Sequence, residues 1–282
     1  MMDLLIKTKK LCQAYNIKPV RSRGQNFLIN DDVYKKIIKA ADLNKDDVVL
    51  EVGPGLGFLT EKLAGKVSKI VAVEVDRKLA DVLRARLDSL RIKNVEIINS
   101  NILKISNIQY PIFNKITNNK FKVVANLPYN ITSIFLRKFL SDEIKPELMV
   151  LMLQKEVADR IVACPPKMSL LAVSVQFYSS PEIIEYIDKE NFWPMPAVNS
   201  AIVKIRGAGQ GSVQNEKEIF QLVKFGFSAK RKMLKNNLAA GFRITQKEAE
   251  EKIKKAGFNS KIRAQELFLK DWIKIFNIFK CG

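Results

Sequence analysis

The chain has 282 residues, 47% of them apolar, with 48 Lys and Arg against 29 Asp and Glu, a formal net charge of +19. That apolar share supports a sizeable core and excludes wholesale disorder, while the charge excess points to a polyanionic partner, most often nucleic acid. Histidine is absent and the three cysteines, Cys12, Cys164 and Cys281, are scattered, which excludes histidine metal sites, Ser-His and Cys-His catalysis and a disulfide framework. No apolar run reaches the 18 residues of a membrane-spanning helix. The expectation is a metal-free monomer of the reducing cytoplasm, with an organellar transit peptide as the alternative reading of the basic N-terminus.

In chain order, residues 1–20 predict one short amphipathic helix ending before Pro19. Residues 21–30 are a basic, turn-rich loop, and Asp31 and Asp32 start a helix with an apolar face of Val33, Ile37, Ile38 and Ala41. Short apolar runs at 48–52, 70–75, 95–98, 121–126 and 149–153 predict buried strands. Helical segments follow at 58–65, 77–91, from about Thr132, and over 155–163. Residues 170–178 and 201–206 predict two late strands with an antiparallel edge. Alternating strands and helices argue for a doubly wound α/β sheet. The Gly-rich stretch 207–215 predicts a linker between a domain over 1–206 and a helical domain over 216–282. Residues 211–282 hold 16 Lys and Arg against 7 Asp and Glu.

The first strand runs into Glu51-Val-Gly53-Pro-Gly55-Leu-Gly57. Glycines at this spacing let a backbone pass close to a ligand at a helix N-terminus. A dinucleotide fingerprint would read G-x-G-x-x-G. Here Pro54 deletes a donor that a phosphate cradle would use, and no Walker-type lysine follows. Glu74, at the end of the second strand, is placed to accept both ribose hydroxyls of a nucleoside. An adenosyl cofactor without a pyrophosphate fits this pattern, namely S-adenosylmethionine.

The fourth strand ends in Asn126-Leu127-Pro128-Tyr129. The exocyclic amine of adenine is a poor nucleophile because its lone pair is delocalised into the ring. Acceptors such as the Asn126 side-chain oxygen and the Leu127 carbonyl would favour a tetrahedral nitrogen. Pro128 fixes the turn without a competing N–H. Tyr129 offers a ring for the base to stack on, worth roughly 1–3 kcal/mol.

These residues, with Gly24-Gln25-Asn26-Phe27-Leu28, Glu51-x-Gly53-x-Gly55 and Glu74-x-Asp76, resemble the rRNA adenine N6,N6-dimethyltransferases. Leu153-Gln154-Lys155-Glu156-Val157-x-x-Arg160, Phe192-x-Pro194-x-Pro196-x-Val198-x-Ser200-Ala201 and Phe227-x-x-Lys230-Arg231-Lys232-x-x-x-Asn236 are similar to the bacterial small-subunit type. The resemblance spans about residues 8 to 276. It implies a Rossmann-like class I methyltransferase domain with a small all-helical C-terminal domain. It also implies dimethylation of two adjacent adenines near the 3′ end of small-subunit rRNA, within an immature 30S particle. Gln25, Asn26, Leu28, Glu51, Gly53, Gly55, Glu74, Asn101 and Asn126 would then contact the cofactor. Phe192 would face Tyr129 across the target base. The family carries an acid where this chain has Asn101, and a Tyr-Gly pair near Met168-Ser169.

The resemblance and the charge together make Lys230, Arg231, Lys232 and Lys235, expected on a helix over 227–240, and Arg21 and Arg23 the candidate RNA contacts. A methylase of large-subunit rRNA and a ribosome-assembly factor without catalysis are the rival readings. The first lacks the full Phe192–Ala201 motif, and the second does not account for an intact Asn126–Tyr129 loop.

Overall fold

The computed structural model describes residues 3–20, 24–105, 121–141, 145–207 and 215–280. Its strands are β1 (Phe27–Leu28), β2 (Val48–Val52), β3 (Lys69–Glu74), β4 (Val95–Asn99), β5 (Lys122–Asn126), β6 (Leu148–Gln154), β7 (Ser180–Ile187), β8 (Phe192–Trp193) and β9 (Ser200–Arg206). Its α-helices are α1 (Leu4–Ala14), α2 (Asp31–Ala41), α3 (Phe58–Ala64), α4 (Arg77–Ser89), α5 (Thr132–Ser141) and α6 (Lys155–Ile161). They continue with α7 (Leu170–Tyr178), α8 (Glu216–Gly226), α9 (Leu234–Phe242), α10 (Gln246–Lys255) and α11 (Leu269–Lys280).

By packing, the chain divides into two units. The first is Met1–Ala158 with Ser179–Gly209, and the second is Asp159–Tyr178 with Gln210–Gly282. The second therefore takes in 159–178, which the sequence reading placed in the first domain. Most of the expected linker, 208–214, lies outside the described residues.

The first unit holds a seven-stranded sheet in the order β4-β3-β2-β5-β6-β9-β7. β2 to β6 are parallel, and β9 is antiparallel to both β6 and β7. The antiparallel strand thus stands one place in from the edge. β7, read from sequence as no element, is the edge itself. Pro181 in β7 argues against a strand in sequence, yet an edge strand tolerates a missing ladder donor.

Parallel strands buried on both faces read as continuous apolar runs. Val49, Leu50 and Val52 in β2 and Ile70 to Val73 in β3 are all buried. Asn30 caps α2 by accepting from the Asp32 N–H, and Asp31 and Asp32 fill its first turn. Asp76 caps α4 through the N–H groups of Lys78 and Leu79. The strand order reverses between β2 and β5, where a crevice opens at the carboxyl ends of the strands.

The expected strand over 170–178 is instead the helix α7. An all-apolar stretch carries neither strand nor helix period. The Ser169 hydroxyl settles it by accepting from the Ala172 N–H. Met168 is buried in the apolar core of the second unit, with Val173, Leu222 and Trp272, and its N–H donates to the Gln265 carbonyl. The Met168-Ser169 departure therefore fills this core and starts α7.

The expected helix over 227–240 also changes. α9 begins only at Leu234, and Lys230, Arg231 and Lys232 lie in the turn before it. The buried Asn237 amide donates to the carbonyls of Gly226 (2.6 Å) and Ala229 (3.1 Å), drawing the chain into a turn there.

Candidate active site

β2 delivers Glu51 to the crevice and then turns at Gly53-Pro54-Gly55. Gly55 has φ +58, and a Cβ there would meet the Phe27 ring at 3.3 Å. Its N–H donates to Glu74 Oε2 at 3.1 Å, and the Asp76 N–H donates to Glu74 Oε1 at 2.9 Å. The glycine turn and the acid at the end of β3 are thus one hydrogen-bonded unit.

The segment after α1 closes over them. The Gln25 amide donates to Asp76 Oδ2 at 3.2 Å and its oxygen accepts from the Val20 N–H at 2.8 Å. β1 pairs with β8, Leu28 opposite Phe192 and Phe27 opposite Trp193. The Tyr34 hydroxyl donates to the Leu28 carbonyl at 3.0 Å. Gly24, at φ +66, lies so close to Pro128 that a Cβ would meet its Cα at 3.2 Å.

Within these walls lies a cavity of about 990 Å³. Gln25, Asn26, Leu28, Glu51, Gly53, Gly55, Glu74, Asn101 and Asn126 all line it, as do Pro128 and Asn130. Asn126 Nδ2 donates to the Asn26 carbonyl at 3.5 Å, which leaves the side-chain oxygen as the end not spent there. Leu127 is buried, its N–H donating to the Met152 carbonyl on β6. Tyr129, half-buried between two lining residues, bonds the Ser200 hydroxyl. Asn101 Oδ1 accepts from the Leu103 N–H at 2.9 Å, so one of its two lone pairs is already engaged.

Phe192 does not join this group. It is 3% exposed and packed in the apolar core of the first unit. An aromatic ring gains most from such burial, and the pairing with Leu28 holds it there. What Phe192 brings to the site is the position of β1. Arg21 and Arg23 lie outside the described residues. Lys230, Arg231 and Lys232 are exposed in the second unit. Lys235 is not available in the same way, because its ammonium is paired with Glu250.

The electrostatics favour a cation with hydroxyl groups. Glu51 is 1% exposed, and neither carboxylate oxygen has a hydrogen-bond partner. Burial pushes its carboxyl up to about 8. The nearby Thr60 hydroxyl, outside hydrogen-bond geometry, offsets part of this, and the Glu74 carboxylate adds to it. Burial also raises the Glu74 carboxyl, and the Asp76 and Gly55 N–H groups pull it partly back. Two buried acids and a turn with no free phosphate cradle reject a pyrophosphate. An unpartnered buried carboxylate calls for a positively charged or hydrogen-bond-donating ligand. The residues present therefore fit an adenosyl group carrying an ammonium and a sulfonium.

Sequence reasoning gave no role to three supports of the cavity, although Asp76 stood in the Glu74-x-Asp76 motif. Asp76 ties Gln25 to α4, and Tyr34 holds the Leu28 carbonyl. Lys138 on α5 donates to the carbonyls of Leu103 (2.9 Å) and Ile105 (2.5 Å), bracing the loop that carries Asn101. Only Asp76 had a signal, as a cap residue at a strand–helix junction.

The model of the ribosomal RNA adenine dimethylase family matches residues 18–280. A protein of Dehalococcoides mccartyi named ribosomal RNA small subunit methyltransferase A is 41% identical over 272 residues, 96% of this chain and 91% of that protein. A Clostridioides difficile protein of the same name is 37% identical over 96% of this chain and 94% of its own length. Among solved structures, a dimethyladenosine transferase from Plasmodium falciparum superposes with a TM-score of 0.75 at 24% identity, covering 89% of this chain and 96% of that one. The 23S rRNA methyltransferase ErmE does so with a TM-score of 0.71 at 24% identity, covering 90% and 100%. The two structures share the fold, and the whole-length match agrees with the order of motifs along the sequence. The chain belongs to the ribosomal RNA adenine dimethylase family.

Proposed function

We propose that this chain acts as a monomer and transfers methyl groups from S-adenosylmethionine to the N6 amines of two adjacent adenines near the 3′ end of small-subunit rRNA. Its substrate is a partly assembled small subunit. The observation that carries this reading is the shared cavity, which Asn126 lines together with Glu51, Glu74 and the glycine turn. The names of the relatives support the choice of small-subunit rRNA.

Glu74 accepts from the cofactor's ribose hydroxyls, and Glu51 faces its positive charge. Asn101 accepts from its adenine with the remaining lone pair. When bound, S-adenosylmethionine supplies an electrophilic methyl group on a sulfonium. The Asn126 oxygen and the Leu127 carbonyl accept hydrogen bonds from the target amine and favour a pyramidal nitrogen. The Leu127 N–H is fixed on Met152, which sets the plane of the neighbouring peptide groups. Tyr129 stacks on the base. No side chain is needed as a base, since the proton leaves to water after transfer. Positioning of the reactants supplies most of the acceleration, about 7–11 kcal/mol for well-oriented pairs.

The test is transfer of labelled methyl groups to undermethylated small subunits, with large subunits and free RNA in parallel, followed by nucleoside analysis. N6,N6-dimethyladenosine from small subunits alone is the expected result. Label in large-subunit RNA would move the assignment to that class of methylase. Tight subunit binding without label would favour an assembly factor.

Lys230, Arg231 and Lys232 contact RNA phosphates, which supply affinity rather than base reading. Reversing Arg231 and Lys232 to Glu is expected to weaken subunit binding and flatten its salt dependence by roughly 0.7–0.9 in slope per lost contact. Cofactor affinity stays at the wild-type value. A filter-binding isotherm unchanged across salt concentrations would remove this turn from the interface.

A further inference from the structure

Tyr129 and Ser200 stand 71 residues apart and share a hydrogen bond of 2.8 Å between their hydroxyls. Ser200 opens β9 and is 0% exposed. The rest of its strand from Ala201 to Ile205 is buried as well. A hydroxyl at such a position costs desolvation free energy unless it has a partner. Among the described residues the hydrogen bond recorded for it goes to Tyr129.

The geometry gives that bond a purpose. β5 neighbours β6, and β6 neighbours β9. The loop leaving β5 therefore reaches across β6 and is fastened on the strand beyond. It is fastened first by the Leu127 N–H on Met152 of β6, at 3.2 Å. The second fastening is Tyr129 on Ser200. Between them Pro128 holds φ at −56°, and Gly24 closes against its ring. Asn126, Pro128 and Asn130 of this loop face the cavity. The phenol itself is half-buried and could be served by water. Its hydroxyl bond is thus not required to fold the loop, but it fixes the tilt of the ring.

We infer that Ser200 is a positioning residue for methyl transfer, holding the Tyr129 ring at the angle on which the target base stacks. This rests on the stacking role given to Tyr129 above. The effect passes through one bond, so Ser200→Ala and Tyr129→Phe remove the same interaction. Each is expected to lower turnover on undermethylated small subunits by about three- to tenfold, the range of one hydrogen bond. The double variant is expected to match the worse single one, because coupled residues lose the bond once. Cofactor affinity of Tyr129→Phe stays at the wild-type value, while its melting temperature falls by a few degrees because the buried Ser200 hydroxyl loses its partner.

A merely structural role for Ser200 would give losses that multiply in the double variant. That outcome, or wild-type turnover in Ser200→Ala, overturns the inference. If Ser200→Ala fails to fold, Tyr129→Phe alone decides, since unchanged turnover there shows that the bond positions nothing. Absence of label from the wild-type protein on every RNA substrate would instead reject the methylation reading on which the inference stands.

Discussion

Replacing Asn126 with alanine is expected to lower turnover by about 10²- to 10³-fold, the cost of removing one preorganised partner of the transition state. The side chain ends β5 at the cavity, its nitrogen on the Asn26 carbonyl and its oxygen turned to other use. Alanine keeps the backbone and leaves Glu51, Glu74 and the glycine turn in place. Cofactor affinity, measured by calorimetric titration, should therefore stay within about threefold, below the roughly 1.4 kcal/mol of a tenfold change. Near-wild-type methylation by this variant would remove the account of the catalytic loop.

The second large effect belongs to Glu51. Its carboxyl rises from 4.5 in an open chain to about 8 in the fold, with burial as the main cause. Between those values the folded protein keeps a proton that the unfolded chain releases. Stability is therefore fully present below about pH 4.5, falls as pH rises towards 8, and levels off above it. The loss is of order a few kcal/mol, several degrees in melting temperature for a chain of this size. Glu51→Gln keeps the shape and abolishes the charge. It should melt like the wild type near pH 4.5 and several degrees higher at pH 8.5, while binding the cofactor more weakly. Parallel melting curves for the two proteins across that range would show that the Glu51 carboxyl ionises in the fold as readily as in the open chain, and would remove the shift.

Much of the site was legible because its residues fall at strand ends. The runs VVLEV and KIVAVE are apolar enough to mark β2 and β3, and Gly53 and Glu74 follow from where they stop. Legibility failed where long-range contact decides. LLAVSVQFY has strand-like residues, but Ser169 caps it as a helix. The lysines near 230 carry a helix-like composition, but Asn237 takes the carbonyls that a helix would use. Phe192 reads as a stacking ring by its motif, while its neighbours bury it. No spacing rule could link Tyr129 to Ser200, since that bond exists only once three strands are side by side.

The strand order has a further consequence for how the site comes into being. β9 is the last strand in sequence, yet it inserts between β6 and β7. β2 and β5, which carry Glu51 and Asn126, are neighbours in space and far apart along the chain. Contacts of such long range form slowly, because loop closure must precede them. On a translating ribosome the glycine turn therefore emerges well before Asn126, and Asn126 well before the strand that anchors its loop. The site acquires its acids, then its amide, then its fixed ring, and each stage waits for a more distant part of the chain.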